Sequence, residues 1–312
     1  MALLQNIKSV LSPIYHSLTY PRKAIEYRKI MENPQKYISG IYAYMNHEDL
    51  DWEHPQDLNA VIQWLKLYGD TSQWPIWADK YCVREYVKNK GLGDMLIPLL
   101  GVWKHVWNIP WKELPNRFVI KPNNGSSNVV ICCDKSSINY LKLYSESIIN
   151  EHRKYGYANY EPHYMGIKPC VIVEQLLDVS KQNAPSSSLI DYKFYCINGE
   201  PCYVWMVFNR TKQTCEACMY DMTWNKHNEY CVSTPHYHIY YKDVPKPVSF
   251  DRMVEAARKL SEGIPFVRID LYEVDRKPYF GEMTLTPAGG FIDFHTREFL
   301  QLSGRDIQLK KA

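Results

Sequence analysis

The stretch 266-FVRIDLYEVDRKPYFGEMTLTPAGGF-291 reads as two strands joined by a short polar turn. Its first strand carries Arg268 and Asp270 two residues apart, so both side chains leave the same face. The second carries Glu282 and Thr284 in the same relation. The reading places Asp270 and Glu282 near the ends of facing strands. Two carboxylates brought together repel unless a cation sits between them. Mg²⁺ answers that need when phosphate is present, because it takes hard oxygen ligands and keeps several waters. Arg268 beside such a pair suits charge developing on a transferred group. The run Pro287-Ala288-Gly289-Gly290 offers backbone N–H groups to an anion. A solvated hairpin with a charged open face is the plain alternative.

Further segments add to the picture. In 118-FVIKPNNGSSNVVIC-132, two apolar runs flank Lys121 and a loop of Asn, Gly and Ser. That pattern predicts a hairpin whose tip covers phosphates. Gly125 permits close backbone approach, and Ser126 and Ser127 can donate. No Gly-Lys-Ser/Thr opens a helix there, so this is not a P-loop. In 170-CVIVEQLLD-178, a buried strand ends in Glu174. The segment 191-DYKFYCINGEP-201 alternates into an Asn198-Gly199 turn, a hairpin signal. Asp191 and Lys193 share one face of that strand, an acceptor for sugar hydroxyls beside a cation for phosphates. The segment 79-DKYCVREYVKNKG-91 predicts a helix ending at Gly91, with Lys80 and Arg84 on one face. Each segment also has a plain structural reading as a turn, a core strand or a solvated helix.

In this order the pieces resemble the ATP-grasp superfamily, and within it the TupA-like branch, associated with teichuronopeptide and other surface-polysaccharide synthesis. The resemblance spans roughly Leu65 to Phe294. It rests on 79-DKYCVREYV-87, 114-LPNRFVIKPNNGSS-127, 191-DYKFYCINGEP-201 and 267-VRIDLYEVDRKPYFGEMTLTP-287. It implies an α+β ATP-grasp fold, with two α+β lobes clamping ATP behind a mainly helical N-terminal region. By the same resemblance, Lys80 and Lys121 hold the α- and β-phosphates. The loop from Asn123 to Asn128, with Asn124, Gly125, Ser126 and Ser127, closes over them. Glu174 and the backbone of Gln175 and Leu177 meet adenine, and Asp191 takes the ribose. Asp270 and Glu282 hold two Mg²⁺ ions, with Thr284 where the wider superfamily has Asn. Arg268, Lys193 and Arg210 are the implied catalytic cations. The implied activity is an ATP-dependent carboxylate–amine ligase working on a uronic acid and an amine. The alternatives are an ATP-grasp kinase, a sugar transferase of the same pathway, and a nucleotide-binding subunit without chemistry.

At 312 residues the chain can bury a sizeable core in one compound domain or two. Lys plus Arg number 37 against 34 Asp plus Glu, which excludes a nucleic-acid-binding stripe by composition. Anionic substrates are then met by local cations. The 25 Tyr and nine Trp point to a large aromatic core. The nine Cys are scattered without framework spacing, which suits reduced thiols in a cytoplasm. Cys215 and Cys218 form a lone pair without a second pair at zinc-site spacing. The N-terminus MALLQNIKSVLSPIYHSL has no uninterrupted apolar run of membrane-spanning length, and its Pro13 argues against a secretory signal. An amphipathic helix there would allow peripheral contact with membrane-bound polysaccharide machinery at the inner face of the membrane. The expected organisation is a helical segment 1–60, an N-terminal subdomain 61–117, a small ATP-grasp lobe 118–190 and a large lobe 191–312 with the metal site. The Ser-rich 180-SKQNAPSSS-188 reads as a flexible linker, and Phe250–Gly263 as a helix before the metal hairpin.

Overall fold

The computed structural model describes residues 25, 27–125, 129–140, 143–144, 156 and 158–312. The N-terminal segment 1–18 and Ser126, Ser127 and Asn128 of the proposed phosphate loop lie outside the described residues. Two compact units emerge, each drawn from several stretches of chain. One comprises 1–37, 79–81 and 97–176; the other comprises 38–78, 82–96 and 177–312. The division cuts across the consecutive blocks expected from the sequence, since 61–117 is shared between both.

The first unit is built on a four-stranded antiparallel sheet. Its strands are β1 (Leu99–Trp103), β2 (Phe118–Pro122), β3 (Val130–Cys132) and β4 (Val171–Gln175), in the order β1-β4-β2-β3. The β2–β3 hairpin forms as predicted, with Phe118 opposite Cys132. Alternation decides the faces. Phe118, Ile120, Val171 and Val173 turn to a core that includes Val106, Ile109 and Leu114. Lys121 and Glu174 therefore emerge on the opposite face.

The second unit holds a six-stranded sheet. Its strands are β5 (Asp191–Ile197), β6 (Glu200–Phe208), β7 (Cys215–Asp221), β8 (Tyr237–Ile239), β9 (Phe266–Val274) and β10 (Lys277–Thr284), in the order β10-β9-β5-β6-β7-β8. Only β7 and β8 run parallel. Two tight turns set the register. Asn198 and Gly199 join β5 to β6, and Asp275 and Arg276 join β9 to β10, all four at positive φ. Two positive φ values in a row make a type I′ turn, whose twist matches that of the strands.

One sheet face packs on the helix Phe250–Ser261, which is two residues shorter than predicted. Met253, Ala256, Ala257 and Leu260 of the helix are buried. Val267, Ile269 and Leu271 alternate onto that face of β9. So does Glu273, whose carboxylate accepts from the Ser249 amide and hydroxyl at 2.6 Å each and so caps the helix. By period 2, Arg268 and Asp270 must point the other way.

Among the described residues this unit also holds the helices α1 (Pro34–Asn46, beginning in the first unit), α2 (Leu58–Tyr68), α3 (Trp74–Ala78), α4 (Val83–Asn89) and the later helix Arg297–Gly304. Asp57 caps α2 by accepting from the Ala60 amide at 2.9 Å. The stretch 180–188 is no loose linker: Gln182 accepts from the Ile190 amide, and Ser186 Oγ from the Asn209 amide. Cys215 and Cys218 are buried and free, on opposite faces of β7. Among the described residues no helix is long and apolar enough to cross a membrane.

Candidate active site

In the first unit, Lys80, Lys121, the loop after β2, and Glu174 are the predicted nucleotide contacts. Lys80 is not on a helix. Asp79 Oδ1 accepts from the Tyr81 amide, which holds a turn, and helix α4 starts only at Val83. Lys80 and Arg84 therefore share no helix face. Asn123 organises this turn. Its carbonyl accepts from the Lys80 amide at 2.9 Å, and its side chain bonds Asp79, the Lys168 carbonyl and the Cys170 amide. The Lys80 ammonium donates to the Gly125 carbonyl at 2.7 Å, and Gly125 sits at φ +71°. That left-handed backbone favours glycine at 125. Next to it, buried Asn124 has no partner for its Oδ1 among the described residues. Lys121 and Glu174 form an ion pair at 2.7 Å, with the carboxylate nearly buried. Glu174 is the penultimate residue of β4. The Gln175 amide donates to the Pro98 carbonyl at 3.0 Å, so that N–H is spent on the sheet.

In the second unit the three strands β10, β9 and β5 bring six predicted residues together on one face. Lys193 lies opposite Asp270, and Asp270 opposite Glu282. Thr284 lies opposite Arg268. Glu282 lies near the end of β10, as expected, whereas Asp270 is in the middle of β9; the two form a cross-strand pair just past a bulge at Gly281. A Cβ on Gly281 would stand 2.8 Å from the Asp270 carbonyl, so the bulge needs glycine. Arg268 Nε and Nη2 donate to the two Asp270 oxygens at 2.7 Å each, and Nη2 also donates to the Thr284 hydroxyl at 3.1 Å. Lys193 Nζ reaches Asp270 Oδ2 at 2.5 Å and Asp191 Oδ2 at 2.7 Å. Arg210 Nη2 donates to the same Asp191 oxygen at 2.9 Å, and the buried Asp191 Oδ1 has no partner among the described residues. Glu282 Oε1 lies 3.4 Å from the Thr284 hydroxyl and 3.7 Å from Arg268.

The electrostatics follow from burial. Burial pushes the Asp270 carboxyl up, against the pull of Arg268 and Lys193. Burial pulls the Arg268 guanidinium down, but the Asp270 charge outweighs it and holds the group above its ordinary value. Arg268 is thus a fixed cation. Behind it, Tyr195 stands opposite Arg268 in the ladder, and its hydroxyl meets His295 Nε2 at 2.8 Å. Burial and the nearby Arg268 charge depress His295 to about 3, so the ring is neutral. Neither Tyr195 nor His295 was signalled by a motif. Their meeting across 100 residues has no local trace.

The loop after β10 differs from its expected role. Gly289 N–H donates within the turn, to Thr286. The Gly289 and Gly290 carbonyls accept from Gln63, and Gly289 also from Lys66. Asn59 bonds the Ile292 backbone in both directions, so α2 anchors the whole loop. It offers carbonyls to α2 rather than a set of amides to an anion.

The family is decided by comparison of the whole sequence. A profile described as TupA-like ATPgrasp matches residues 60–308. The chain belongs to the TupA-like ATP-grasp family. Its fold is α+β, the ATP-grasp fold. Comparison with curated proteins gave no match. Among solved structures, it is similar to a D-alanine–D-alanine ligase from Bacillus anthracis, at 14% identity over 78% of this chain and 63% of that one, TM-score 0.41. A D-alanine–D-alanine ligase from Helicobacter pylori is similar at 16% identity over 80% and 67%, TM-score 0.39. The ATP-grasp ligase PsnB, complexed with a minimal precursor, is similar at 12% identity over 80% and 64%, TM-score 0.39. The chain spans 63% of the Bacillus anthracis enzyme's length.

The donor chemistry of this TupA-like chain suits Mg²⁺. Asp270, Glu282 and Thr284 offer oxygen only. Among the described residues no group of three His, Cys, Asp or Glu residues could hold a metal by itself. Mg²⁺ is commonly held by one or two carboxylates, the remaining positions going to phosphate oxygens and water. Two carboxylates and a hydroxyl match that pattern in donor type, but both Asp270 oxygens are held by Arg268 and Lys193, so Asp270 must release one of them to take a cation.

Proposed function

We propose that this chain is an ATP-dependent carboxylate–amine ligase. It would form an amide through an acyl-phosphate, attaching an amino acid or another amine to a uronic acid in surface-polysaccharide synthesis. The observation that supports this reading is the Lys193–Asp270–Arg268 ion-pair row with Glu282 and Thr284 on the same sheet face.

A carboxylate is a poor electrophile because its leaving group would be oxide. Bound Mg-ATP supplies a phosphoryl group that turns that oxygen into a good leaving group. In the first unit, Lys80 and Lys121 provide cations for phosphates, and Asn124 and Gly125 begin the loop that would cover them. Ser126 and Ser127 continue it. Glu174, Gln175 and Leu177 are assigned to adenine, and Asp191 to the ribose. Lys121 must then exchange its Glu174 partner for phosphate, or share it.

In the second unit Asp270, Glu282 and Thr284 would hold two Mg²⁺ ions. Arg268, held here by two bonds to Asp270, would meet negative charge at the reacting carbon once Asp270 turns to Mg²⁺. Lys193 and Arg210 extend the positive charge along the row. We assign the protein to the cytoplasm, in peripheral contact with membrane-bound polysaccharide machinery. Its cysteines form no disulfide among the described residues, buried Cys196 and Cys218 included, which suits a reducing compartment.

The test is ADP release from Mg-ATP with a panel of uronic acids, with and without amines. The ligase reading expects release that needs a carboxylate and an amide product that needs the amine. Release driven by a sugar hydroxyl, with a stable phosphoester as product, would replace it with a kinase.

A further inference from the structure

Both oxygens of Asp270 are occupied by side-chain cations, and the two cations are held unequally. Arg268 grips the carboxylate with two N–H groups, Nε on Oδ1 and Nη2 on Oδ2, at 2.7 Å each. Its Nη2 also donates to the Thr284 hydroxyl at 3.1 Å. A planar guanidinium in that grip leaves only by losing all of these bonds together. Lys193 has a single contact with Asp270, on Oδ2 at 2.5 Å. It is a point charge on a flexible stem. A second carboxylate already stands beside it, with Asp191 Oδ2 at 2.7 Å.

Asp191 can take more of that ammonium. It lies two residues before Lys193 on β5, on the same face. Arg210 Nη2 holds its Oδ2 at 2.9 Å, and the Arg210 amide donates to Ser188 Oγ at 3.0 Å, so this clamp is seated in the backbone. The other oxygen, Oδ1, is buried and has no partner among the described residues. A buried acceptor without a donor is costly, and an ammonium carries three donors. The open acceptor thus belongs to the same carboxylate that Lys193 already touches. A carboxylate offers about four acceptor positions, so Asp191 can hold both cations and still accept from a sugar hydroxyl.

We propose that Lys193 is the resident counter-ion of the metal position: Asp270 gives up Lys193, rather than Arg268, when it takes Mg²⁺, and the released ammonium settles on Asp191 Oδ1. Asp191 is then a positioning residue that acts through Lys193. The assignment rests on the reading of Asp270 and Glu282 as metal ligands and names the side chain that competes for that position. The exchange couples metal loading to the placement of a cation of the site, because Lys193 moves fully onto Asp191 only after Asp270 has released it.

The experiment measures metal binding, without nucleotide or turnover. Mn²⁺, which takes the same oxygen ligands as Mg²⁺, is titrated into the full chain, and free Mn²⁺ is read by electron paramagnetic resonance. Lys193→Met should bind Mn²⁺ about ten- to a hundred-fold more tightly than the parent, the range for a hydrogen bond to a charged group. Asp270 keeps Arg268 and Asp191 keeps Arg210 in that variant, so neither carboxylate is left bare. Lys193→Gln retains a neutral donor and should fall between; it carries the test if the Met variant does not fold. Asp191→Asn should weaken Mn²⁺ binding about ten-fold in the parent, because Lys193 loses its second seat. In the Lys193→Met background the same change should cost at most about two-fold, since Asp191 acts through Lys193. Binding by the Lys193 variants that is equal to or weaker than the parent's, or an Asp191→Asn loss of the same size in both backgrounds, overturns the exchange. Glu282→Gln tests the metal reading separately and should weaken Mn²⁺ binding in either background. A loss there without tightening in Lys193→Met would overturn the exchange and leave the metal reading standing. Unchanged binding in Glu282→Gln, or no Mn²⁺ bound by any form, would overturn both.

Discussion

Replacing Arg268 by Met should destabilise the second unit and stop the chemistry together, for calculable reasons. Arg268 makes two 2.7 Å bonds to Asp270, whose side chain is 1% exposed. Removing the guanidinium leaves Asp270 Oδ1 buried without a donor, while Oδ2 keeps Lys193 at 2.5 Å. Deleting one partner of a buried pair costs about 3–5 kcal/mol. The retained ammonium places this case at the low end, about 3 kcal/mol. At about 2–4 °C per kcal/mol for a unit of this size, the melting temperature should fall roughly 6–12 °C. Thermal and urea unfolding followed by circular dichroism, without nucleotide, read the effect. The cycle is closed by Arg268→Met with Asp270→Leu. A buried ion pair replaced by apolar groups is often neutral in stability. The double variant should therefore recover most of the loss while remaining inactive. An unchanged melting temperature in Arg268→Met, or losses that simply add in the double variant, would refute the reasoning that Arg268 neutralises a buried carboxylate.

Other outcomes follow from the same geometry. Glu282→Gln should change stability by less than about 0.5 kcal/mol, because 34% of the side chain is exposed, yet lower turnover by about 10²–10³; parental turnover in this variant would show that the metal hairpin is misassigned. Lys121→Ala should weaken ATP binding about ten- to a hundred-fold in calorimetry, since a charge-assisted contact is lost; unchanged affinity would remove Lys121 from the nucleotide site. His295, held near 3 in the fold against 6.5 in the unfolded chain, makes the unfolded state bind more protons between those values. That stability is whole above pH 6.5 and declines as pH falls toward 3, by about 2 kcal/mol at pH 5. His295→Gln should flatten this slope between pH 5 and 7 in urea titrations, and an identical slope would contradict it.

The hairpins were legible because their signals are local. Asn198-Gly199 and the polar pair Asp275-Arg276 can take the two positive φ values a tight turn needs, and alternation then assigns every face. Arg268 and Asp270 share a side for that reason alone. The Lys80 helix misled because helical spacing continues back from Val83, whereas the Asp79 side chain captures the Tyr81 amide and makes a turn. Strands β1, β7 and β8 carried no turn signal strong enough to mark them, and β8 is only three residues long. The deeper limit is the register between distant strands. Nothing near Lys193 says that Asp270, 77 positions later, will lie opposite it. That meeting is a product of strand order, which no single segment contains.

The central claim is that a substrate carboxylate attacks phosphorus, so the most direct measurement follows its oxygen. A uronic acid labelled with ¹⁸O in the carboxylate is turned over with Mg-ATP and an amine, and the released phosphate is examined by ³¹P NMR or mass spectrometry. The account predicts one ¹⁸O atom in each phosphate, because the carboxylate oxygen leaves with the phosphoryl group when the amide forms, and predicts that hydroxylamine in place of the amine yields a hydroxamate. Unlabelled phosphate with no hydroxamate, or a stable phosphoester retaining both labels in its carboxylate, would contradict it.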